Sequence, residues 1–248
     1  MTSATRKDQV LLRASGVGKR FGALVVLEEV DVELRGNEIL GIVGPNGAGK
    51  TTLLDVMAGA QTASGGRVEL NGRDVTSRSA ATRCRMGIGR SHQVPRPFGG
   101  MTVFENVLVG AVSGAGLRGS EGYDRAIEVL DRCQLLHQGN RSAESLGLLD
   151  RKRLELARAM ATDPVLLLLD EIAAGLTEAE TEHLVETIED VRRAGIACLW
   201  IEHIVRLLTR VADRMVCLAE GRVIADGAPS AVMADPAVME AYLGTPAR

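Results

Sequence analysis

Residues 44–52, with the sequence Gly-Pro-Asn-Gly-Ala-Gly-Lys-Thr-Thr, constrain this chain more than any other stretch. They fit a phosphate-binding pattern in which a glycine and four further residues precede Gly-Lys-Thr. The apolar run at 39–43 predicts a buried strand before the stretch, and residues 52–58 predict a helix after it. Because the pattern requires this strand–loop–helix context, we expect a phosphate-binding loop rather than a glycine-rich turn with an incidental lysine.

The residue types of this loop suit a nucleotide phosphate. Glycines let backbone N–H groups close around phosphate oxygens, and the N-terminus of the following helix adds a partial positive charge. Lys50 is expected to reach the β- and γ-phosphates, and the Thr51 hydroxyl is expected to hold Mg²⁺. The predicted nucleotide-binding residues of the loop are Gly44, Pro45, Asn46, Gly47, Ala48, Gly49, Lys50, Thr51 and Thr52.

Composition bounds the class of protein. A chain of 248 residues holds one large α/β core or two small domains, and with 2% aromatic residues the core must be aliphatic. The net charge of −3 gives no indication of a nucleic-acid partner. Cys84, Cys133, Cys198 and Cys217 are scattered, which predicts reduced, mostly buried thiols in a cytoplasmic protein.

No stretch of the sequence predicts membrane insertion. The polar N-terminus lacks the apolar core of a signal peptide, and no apolar run approaches the length of a bilayer span. Any link to a membrane is therefore expected to go through a partner.

Hydrophobic periodicity predicts an α/β protein. Residues 10–34 alternate between apolar and polar, which indicates antiparallel strands, with residues 16–22 as a turn region. Asn-Gly at 71–72 predicts a hairpin, and the pattern from 102 to 160 is helical with a glycine-rich break. Residues 151–161 predict an amphipathic helix. Strands then alternate with helices from residue 165 onward, with one helix predicted at 178–193, which is typical of the α/β class.

A second candidate site element follows the apolar run at 165–169. A continuous rather than alternating run predicts a central parallel strand that is covered on both faces. It ends in Asp170 and Glu171, an unfavourable place for acids that have no function. Asp170 suits a Mg²⁺ ligand, held directly or through water, and Glu171 suits the base that activates an attacking water. A strand that simply ends in solvated acids is the alternative, which the phosphate-binding loop makes less favourable.

Three further side chains complete the candidate site. Gln93, shortly after a predicted strand at 86–89, has an amide that can contact both Mg²⁺ and the attacking water. His203 follows the predicted strand at 196–201 and can contact the γ-phosphate. Phe21 can stack on adenine. An isolated Gln, His or Phe is more often an ordinary surface or core residue, but the position of Gln93 and His203 after predicted strands favours the functional interpretation.

The order of these elements resembles a known family. A phosphate-binding loop, a glutamine, a helix with Ala-Arg-Ala, an apolar strand ending in Asp-Glu and a later histidine are arranged as in the ATP-binding subunits of ABC transporters, over essentially the whole chain. Four segments resemble more narrowly the branched-chain amino-acid uptake branch. They are Val-Pro-Arg-Pro-Phe at 94–98, Met-Thr-Val-Phe-Glu-Asn-Val at 101–107, Ala-Ala-Gly-Leu at 173–176 and Ala-Tyr-Leu-Gly at 241–244.

The resemblance implies a fold and a function. It implies one ABC ATPase domain over residues 1–248, with a P-loop NTPase fold, a mixed central sheet, an antiparallel β subdomain and a helical subdomain. Residues 10–93 and 161–248 would form the core with the β subdomain, and residues 94–160 the helical subdomain. The implied activity is ATP hydrolysis, with Mg²⁺, that powers uptake of branched-chain amino acids or a similar small solute.

The resemblance also implies partners and a location. The partners are transmembrane permease subunits, a second ABC ATPase subunit in a homo- or heterodimer and, indirectly, a solute-binding protein, with no nucleic acid. Residues 95–98 would form part of a groove for a permease coupling helix. The implied location is cytoplasmic, peripheral on the inner face of the cell membrane.

The chain departs from the family at the signature motif. The family places Leu-Ser-Gly-Gly-Gln before the helix with Ala-Arg-Ala, which here lies at 157–159, so the motif falls on Leu-Gly-Leu-Leu-Asp at 146–150. In the family this motif crosses a dimer interface and covers the γ-phosphate bound by the other subunit. Gly147 has no hydroxyl to donate, and Leu149 is bulky where the family has glycine.

Two interpretations of the departure remain open. Either the chain works in a heterodimer whose partner supplies an intact signature, or this branch tolerates a loosened signature because backbone N–H groups still face the phosphate. Two smaller departures are Ile172, where proline usually follows the glutamate, and Thr177, where aspartate is usual.

Three alternative functions compete with solute uptake. A non-transport ABC ATPase of DNA repair or translation usually carries two cassettes or long insertions, which this chain lacks. A regulatory subunit without turnover fits the altered signature but not the intact Asp170, Glu171 and His203. An exporter subunit of the lipopolysaccharide-transport type differs mainly in its permease, which this sequence does not contain.

Overall fold

The computed structural model describes residues 9–243. Its described chain divides into two compact units, one of residues 9–80 with 197–243 and the other of residues 81–196. Most of the polar N-terminal stretch and the final glycine of the Ala-Tyr-Leu-Gly segment lie outside the described residues. The division into a core and a helical subdomain at 94–160, which the family resemblance implies, stays a prediction.

The part of the chain that the structure describes contains ten strands and nine α-helices. In order they are β1 (Val10–Phe21), β2 (Leu24–Arg35), β3 (Ile39–Val43), α1 (Lys50–Ala58), β4 (Gly65–Leu70), β5 (Arg73–Asp74), α2 (Ala80–Arg85), β6 (Ile88–Arg90), α3 (Val103–Val109), α4 (Ser120–Arg132), α5 (Leu148–Ala161), β7 (Leu166–Asp170), α6 (Glu178–Arg193), β8 (Ala197–Ile201), α7 (Val205–Val211), β9 (Arg214–Ala219), β10 (Arg222–Gly227), α8 (Pro229–Ala234) and α9 (Pro236–Leu243). A π-helical turn (Gly110–Gly114) extends α3, and 3-10 turns lie at Leu136–Gln138 and Ala143–Ser145.

An antiparallel sheet in the first unit has the strand order β2-β1-β4-β5. Its alternating apolar residues are buried from Leu27 to Leu34, as the sequence pattern predicts, whereas Leu24 and Val25 at the start of β2 are exposed. The predicted turn at 16–22 is wrong, because β1 continues to Phe21 and the turn to β2 lies at residues 22–23. Gly16 has a φ of 56° and sits at a register shift of β1, where its N–H donates to the Asp31 carboxylate at 2.8 Å. A glycine with positive φ occurs in β-bulges as well as in turns, so the residue type alone does not distinguish the two.

A mixed sheet in the same unit positions the phosphate-binding loop. β3 pairs in parallel with both β8 and β9, and β10 pairs antiparallel with β9. Every residue of β3 and of β8 is buried, which explains why both strands are continuous apolar runs. Ile42 pairs with Ile201, so the two strands end at the same edge of the sheet. The loop that follows β3 and the residues that follow β8 therefore start from one edge.

The second unit pairs β6 with β7 in parallel, and Arg90 lies opposite Leu168. Residues 91–93 and residues 170–171 consequently leave the sheet at the same edge. The predicted strand at 86–89 is found two residues later, as β6, and the helix predicted from residue 151 begins at Leu148. The predicted helix Glu178–Arg193 is found with the same bounds.

We found no helix within residues 9–243 with the length and apolar character that a membrane crossing requires. Cys133, Cys198 and Cys217 are buried and Cys84 is half-buried, and no disulfide links these four cysteines of the described chain, as the sequence predicts.

Candidate functional site

The loop between β3 and α1 depends on glycine at three positions. Gly44, Gly47 and Gly49 have φ values of 145°, 79° and 98°, a conformation that side-chain-bearing residues rarely adopt. A Cβ on Gly44 would lie 2.0 Å from the carbonyl oxygen of Leu218 in β9. A Cβ on Gly49 would lie 2.8 Å from the carbonyl oxygen of Val26. The loop is thus held against neighbouring backbone, and only glycine fits at its first and last turns.

The N-terminus of α1 is left open to an anion. Among the residues that the structure describes, no side chain caps α1, and its first turn contains no acid. By contrast, α3 and α6 begin with capping boxes, formed by Thr102 with Glu105 and by Thr177 with Glu180. Helix N-termini carry unsatisfied N–H donors and a partial positive charge, which a phosphate group satisfies. An uncapped N-terminus is what a phosphate-binding helix requires, but α4, α5, α7 and α8 of the described chain also lack a side-chain cap, so the glycine loop before α1 is what distinguishes this site.

Lys50 is enclosed by the same loop. Its side chain is buried, and Nζ donates to the carbonyl oxygens of Gly44 at 2.7 Å and Pro45 at 3.0 Å. These two hydrogen bonds hold the ammonium group against the backbone at the start of the loop. Thr51 is exposed at the first turn of α1, and Thr52 is half-buried. The donor set consists of loop N–H groups, one ammonium and two hydroxyls, which is chemistry suited to a polyphosphate.

Two residues outside the motif interact with this loop or with Lys50. The Gly44 N–H donates to the Tyr242 hydroxyl of α9 at 2.8 Å. Burial raises the pKa of the Cys217 thiol to about 11, an effect that the nearby Lys50 charge reduces. Sequence reasoning missed the contact of Tyr242, because a hydrogen bond between residues 198 positions apart leaves no local signal.

In the second unit, the structure brings Gln93 and Glu171 together. Asp170 ends β7 and Glu171 follows it, and both are almost fully buried. Gln93 Nε2 donates a short hydrogen bond to Glu171 Oε2. Glu171 has a φ of 47°, a left-handed conformation that non-glycine residues seldom adopt and that is often found at functional sites. The predicted neighbourhood of the glutamine and the glutamate is thus present within this unit.

His203 and Phe21 lie in the first unit, as does the phosphate-binding loop. His203 is exposed and follows β8 after Glu202, whose buried carboxylate accepts a hydrogen bond from Trp200 Nε1 at 3.1 Å. Phe21 ends β1 with 47% of its surface exposed, and the Lys19 ammonium lies 4.7 Å from its ring centre. An exposed aromatic ring with a cation on one face keeps its other face for a stacking partner.

The altered signature segment starts α5. Gly147 is the N-cap residue and is exposed, and Leu148, the first helical residue, has 47% of its surface exposed. Asp150 accepts a hydrogen bond from Gln138 Nε2 at 2.7 Å and lies 3.4 Å from Arg153. The side chain at the last signature position is therefore bound within its own unit.

Comparisons with protein families decide the assignment. Residues 27–174 match the family described as "ABC transporter", which is more than half of the chain. The chain belongs to the ABC transporter ATP-binding family. Residues 222–248 match a second family, described as "Branched-chain amino acid ATP-binding cassette transporter". ATP is thus the nucleotide of this family, and the predicted ATPase class is confirmed.

Several relatives match over nearly their whole length. The high-affinity branched-chain amino acid transport ATP-binding protein LivG of Salmonella typhimurium is 40% identical, over 96% of this chain and 99% of the relative. BraF of Pseudomonas aeruginosa, described in the same words, is 34% identical over 94% of this chain and 98% of the relative. The lipopolysaccharide export system ATP-binding protein LptB of Acidithiobacillus ferridurans is also 34% identical, over 94% and 97%.

Solved structures confirm the predicted fold. A nucleotide-free ATP-binding cassette from an ABC transporter superposes with a TM-score of 0.87 at 29% identity, covering 96% of this chain and 100% of that one. The ADP conformation of an ABC transporter cassette gives a TM-score of 0.86 at 29% identity, with the same coverage. The α/β cassette fold predicted from the sequence is therefore correct.

Proposed function

We propose that this chain is the ATP-hydrolysing subunit that powers uptake of branched-chain amino acids, or of a similar small solute, through a separate permease. The uncapped N-terminus of α1, with Lys50 buried in the loop before it, carries the ATP-binding part of the proposal. The solute class is supported by the names of the LivG and BraF relatives and by the family match at residues 222–248.

The first unit is proposed to bind the nucleotide. The backbone N–H groups of the loop surround the phosphates, except at Pro45, which has none, and at Gly44, whose N–H donates to Tyr242. Lys50 neutralises charge on the β- and γ-phosphates. Phe21 stacks on adenine, which its exposed ring at the end of β1 supports. His203 contacts the γ-phosphate, and its start from the same sheet edge as the loop supports this role.

The second unit is proposed to supply the groups that act on water. Glu171 accepts the proton of the attacking water, and Gln93 orients that water through its amide. Both residues are already hydrogen-bonded to each other, which supports a joint role. Asp170 and Gln93 of this unit would offer Mg²⁺ a carboxylate and an amide oxygen, and Thr51 of the first unit would offer a hydroxyl oxygen, all hard ligands that Mg²⁺ prefers. When bound, Mg²⁺ would neutralise phosphate charge.

The permease is proposed to dock on the segment that follows Gln93, which places the chain on the inner face of the membrane as a peripheral subunit. Val94 has 64% of its surface exposed and Phe98 has 41%, whereas the other face of the Phe98 ring contacts the Arg158 guanidinium at 4.3 Å. Phe98→Ala should reduce recovery of the chain with the membrane fraction while ATP affinity stays unchanged. Normal membrane recovery would contradict this docking role.

A second cassette is proposed to complete the motor, and two forms of the dimer stay open. In the first form, a heterodimer, a different subunit supplies an intact signature motif. In the second form, the altered segment at 146–150 is sufficient to cover the γ-phosphate bound by the other subunit. Restoring the family residues with Gly147→Ser and Leu149→Gly should raise hydrolysis at the partner's phosphate-binding loop if the first form holds. An unchanged rate would favour a branch that tolerates the loosened segment.

Uptake of radiolabelled leucine tests the proposal in the source cell. Deleting the gene should abolish saturable uptake, the unmodified chain should restore it, and Lys50→Ala should not. Arg132→Ala, which removes an exposed cation on α4, serves as the matched control and should restore uptake fully.

The LptB relative makes lipopolysaccharide export the second candidate. Normal leucine uptake combined with loss of lipopolysaccharide from the cell surface would replace the first candidate with the second.

A further inference from the structure

A buried lysine that the proposed mechanism does not use lies behind the Gln93–Glu171 pair. Lys152 is 3% exposed and belongs to the second turn of α5. Its Nζ donates to the backbone carbonyl oxygen of Gln93 at 3.2 Å and to that of Glu171 at 3.1 Å. Together with the hydrogen bond between the two side chains, these contacts form a closed triangle of three residues.

We propose that Lys152 is a positioning residue that fixes Gln93 and Glu171 relative to each other for hydrolysis. The proposal rests on the roles assigned above to those two residues. Both of these hydrogen bonds go to backbone carbonyl groups, so neither of them occupies the Gln93 amide or the Glu171 carboxylate. An ammonium group has three donors, which lets one side chain hold two carbonyl groups at once.

The backbone conformation of Glu171 requires stabilising contacts of this kind. Its left-handed backbone conformation, with a φ of 47°, is unfavourable for a residue that carries a Cβ. Such conformations persist only where surrounding contacts hold them. The Lys152 bond attaches to the Glu171 carbonyl, the group that reorients when this backbone relaxes. Loss of the lysine should therefore let the carboxylate move while the protein stays folded.

The same face of α5 also holds the segment that leads to the proposed permease-docking residues. Glu155 accepts from His92 Nδ1 at 2.8 Å and from the Arg96 N–H at 3.4 Å. Arg158 donates to the Arg96 carbonyl at 2.5 Å and lies over the Phe98 ring. Residues three apart on a helix share a face, so these two and the lysine form one stripe along α5. The helix that contacts Glu171 through Lys152 therefore also contacts residues 92–98.

A purely structural role is the alternative. A buried lysine could serve only to satisfy two carbonyl groups and to fill space, in which case its replacement would lower stability and the fraction of active protein. It would then leave the turnover of each intact site unchanged. A lower kcat with unchanged nucleotide affinity would indicate the positioning role, whereas an unchanged turnover of each intact site would indicate the structural role.

The test compares Lys152→Met, Lys152→Arg and the exposed α4 control Arg132→Met, each in the intact transporter complex. Methionine keeps the length of the side chain without a donor, whereas arginine keeps the charge and several donors. We expect Lys152→Met to lower kcat by about 10- to 100-fold, the order of loss caused by misplacing a catalytic group by about 1 Å. KM and the affinity for a fluorescent ATP analogue should stay within about twofold, because the nucleotide-binding loop is untouched.

Three results would overturn the proposal. One is full turnover in Lys152→Met. Another is equal loss in Lys152→Met and Lys152→Arg, which would show that volume rather than donation matters. The third is a fall in bound ATP per chain that accounts for the whole loss of rate. If Lys152→Met does not fold, Lys152→Leu against Lys152→Arg gives the same comparison, because leucine also lacks a donor.

A separate arm distinguishes failure of this inference from failure of the proposed function. Glu171→Gln in the same complex should bind ATP and not turn over. If it hydrolyses ATP normally, the catalytic role of the glutamate is wrong, and so is any role of the lysine behind it. If it is inactive while Lys152→Met turns over normally, only the positioning role is wrong.

Discussion

Two glycines of the phosphate-binding loop should respond very differently to the same substitution. Gly44 and Gly47 both have positive φ, so an alanine at either position adopts an unfavourable backbone conformation. A Cβ on Gly47 would have no atom within 4 Å, whereas a Cβ on Gly44 would lie 2.0 Å from the Leu218 carbonyl oxygen. The first change introduces only conformational strain, and the second adds a collision with the backbone of β9.

The magnitudes follow from these contacts. The left-handed conformation alone should cost Gly47→Ala about 1 kcal/mol of unfolding free energy. A carbon and an oxygen ordinarily approach to about 3.3 Å, so Gly44→Ala must displace a strand by about 1 Å. Overlap of this kind costs about 1–3 kcal/mol in addition to the strain, which gives a total of about 3 kcal/mol.

Urea unfolding followed by tryptophan fluorescence measures the difference. Trp200 is the single tryptophan of the chain, is fully buried in β8 and pairs with Gly41 of β3, the strand that leads into the loop. We expect Gly44→Ala to lose about 2 kcal/mol more than Gly47→Ala. Equal losses, or a larger loss for Gly47→Ala, would refute the argument that contact with β9 selects glycine at the first position.

Three further predictions concern single side chains. Tyr242→Phe removes the hydroxyl that accepts from the Gly44 N–H, so ATP affinity should fall about fivefold, equivalent to about 1 kcal/mol, in a fluorescent-nucleotide titration. Burial raises the pKa of Cys133 from 9.0 to about 12, so the unfolded chain loses this proton first. Unfolding free energy should therefore decrease as pH rises from 9.0 to about 12, and decrease less in Cys133→Ala, as measured by urea titrations. Thr177→Ala should cost about 1 kcal/mol of stability because the α6 cap is lost, whereas Thr177→Asp should retain it in thermal unfolding.

Local and periodic features of the fold were predictable from the sequence. The phosphate-binding loop was predicted because its residue types are fixed by close backbone approach, as the contact of Gly44 with β9 illustrates. β7 was predicted because a strand covered on both faces must be apolar throughout. Helix α6 was predicted with the observed bounds, and the structure shows that a capping box of Thr177 and Glu180 defines its start.

The rest of the site depends on tertiary contacts that leave no local signal. The support of Glu171 by Lys152 requires α5 to lie behind the end of β7, and no spacing in the sequence encodes that packing. The continuation of β1 through Gly16 depends on the Asp31 carboxylate of the neighbouring strand. A glycine specifies permitted backbone angles only, so the choice between turn and bulge is made by the partner strand.

Hydrolysis and retention of labelled ATP by Glu171→Gln, beside the unmodified chain in the intact complex, tests the central claim most directly. The account predicts that the variant retains bound ATP with unimpaired affinity while hydrolysis falls by about 100-fold or more, because a general base contributes on that order. Hydrolysis at the unmodified rate would contradict the assignment of Glu171 as the base. Loss of ATP binding would contradict the claim that Glu171 acts on the attacking water and does not hold the nucleotide.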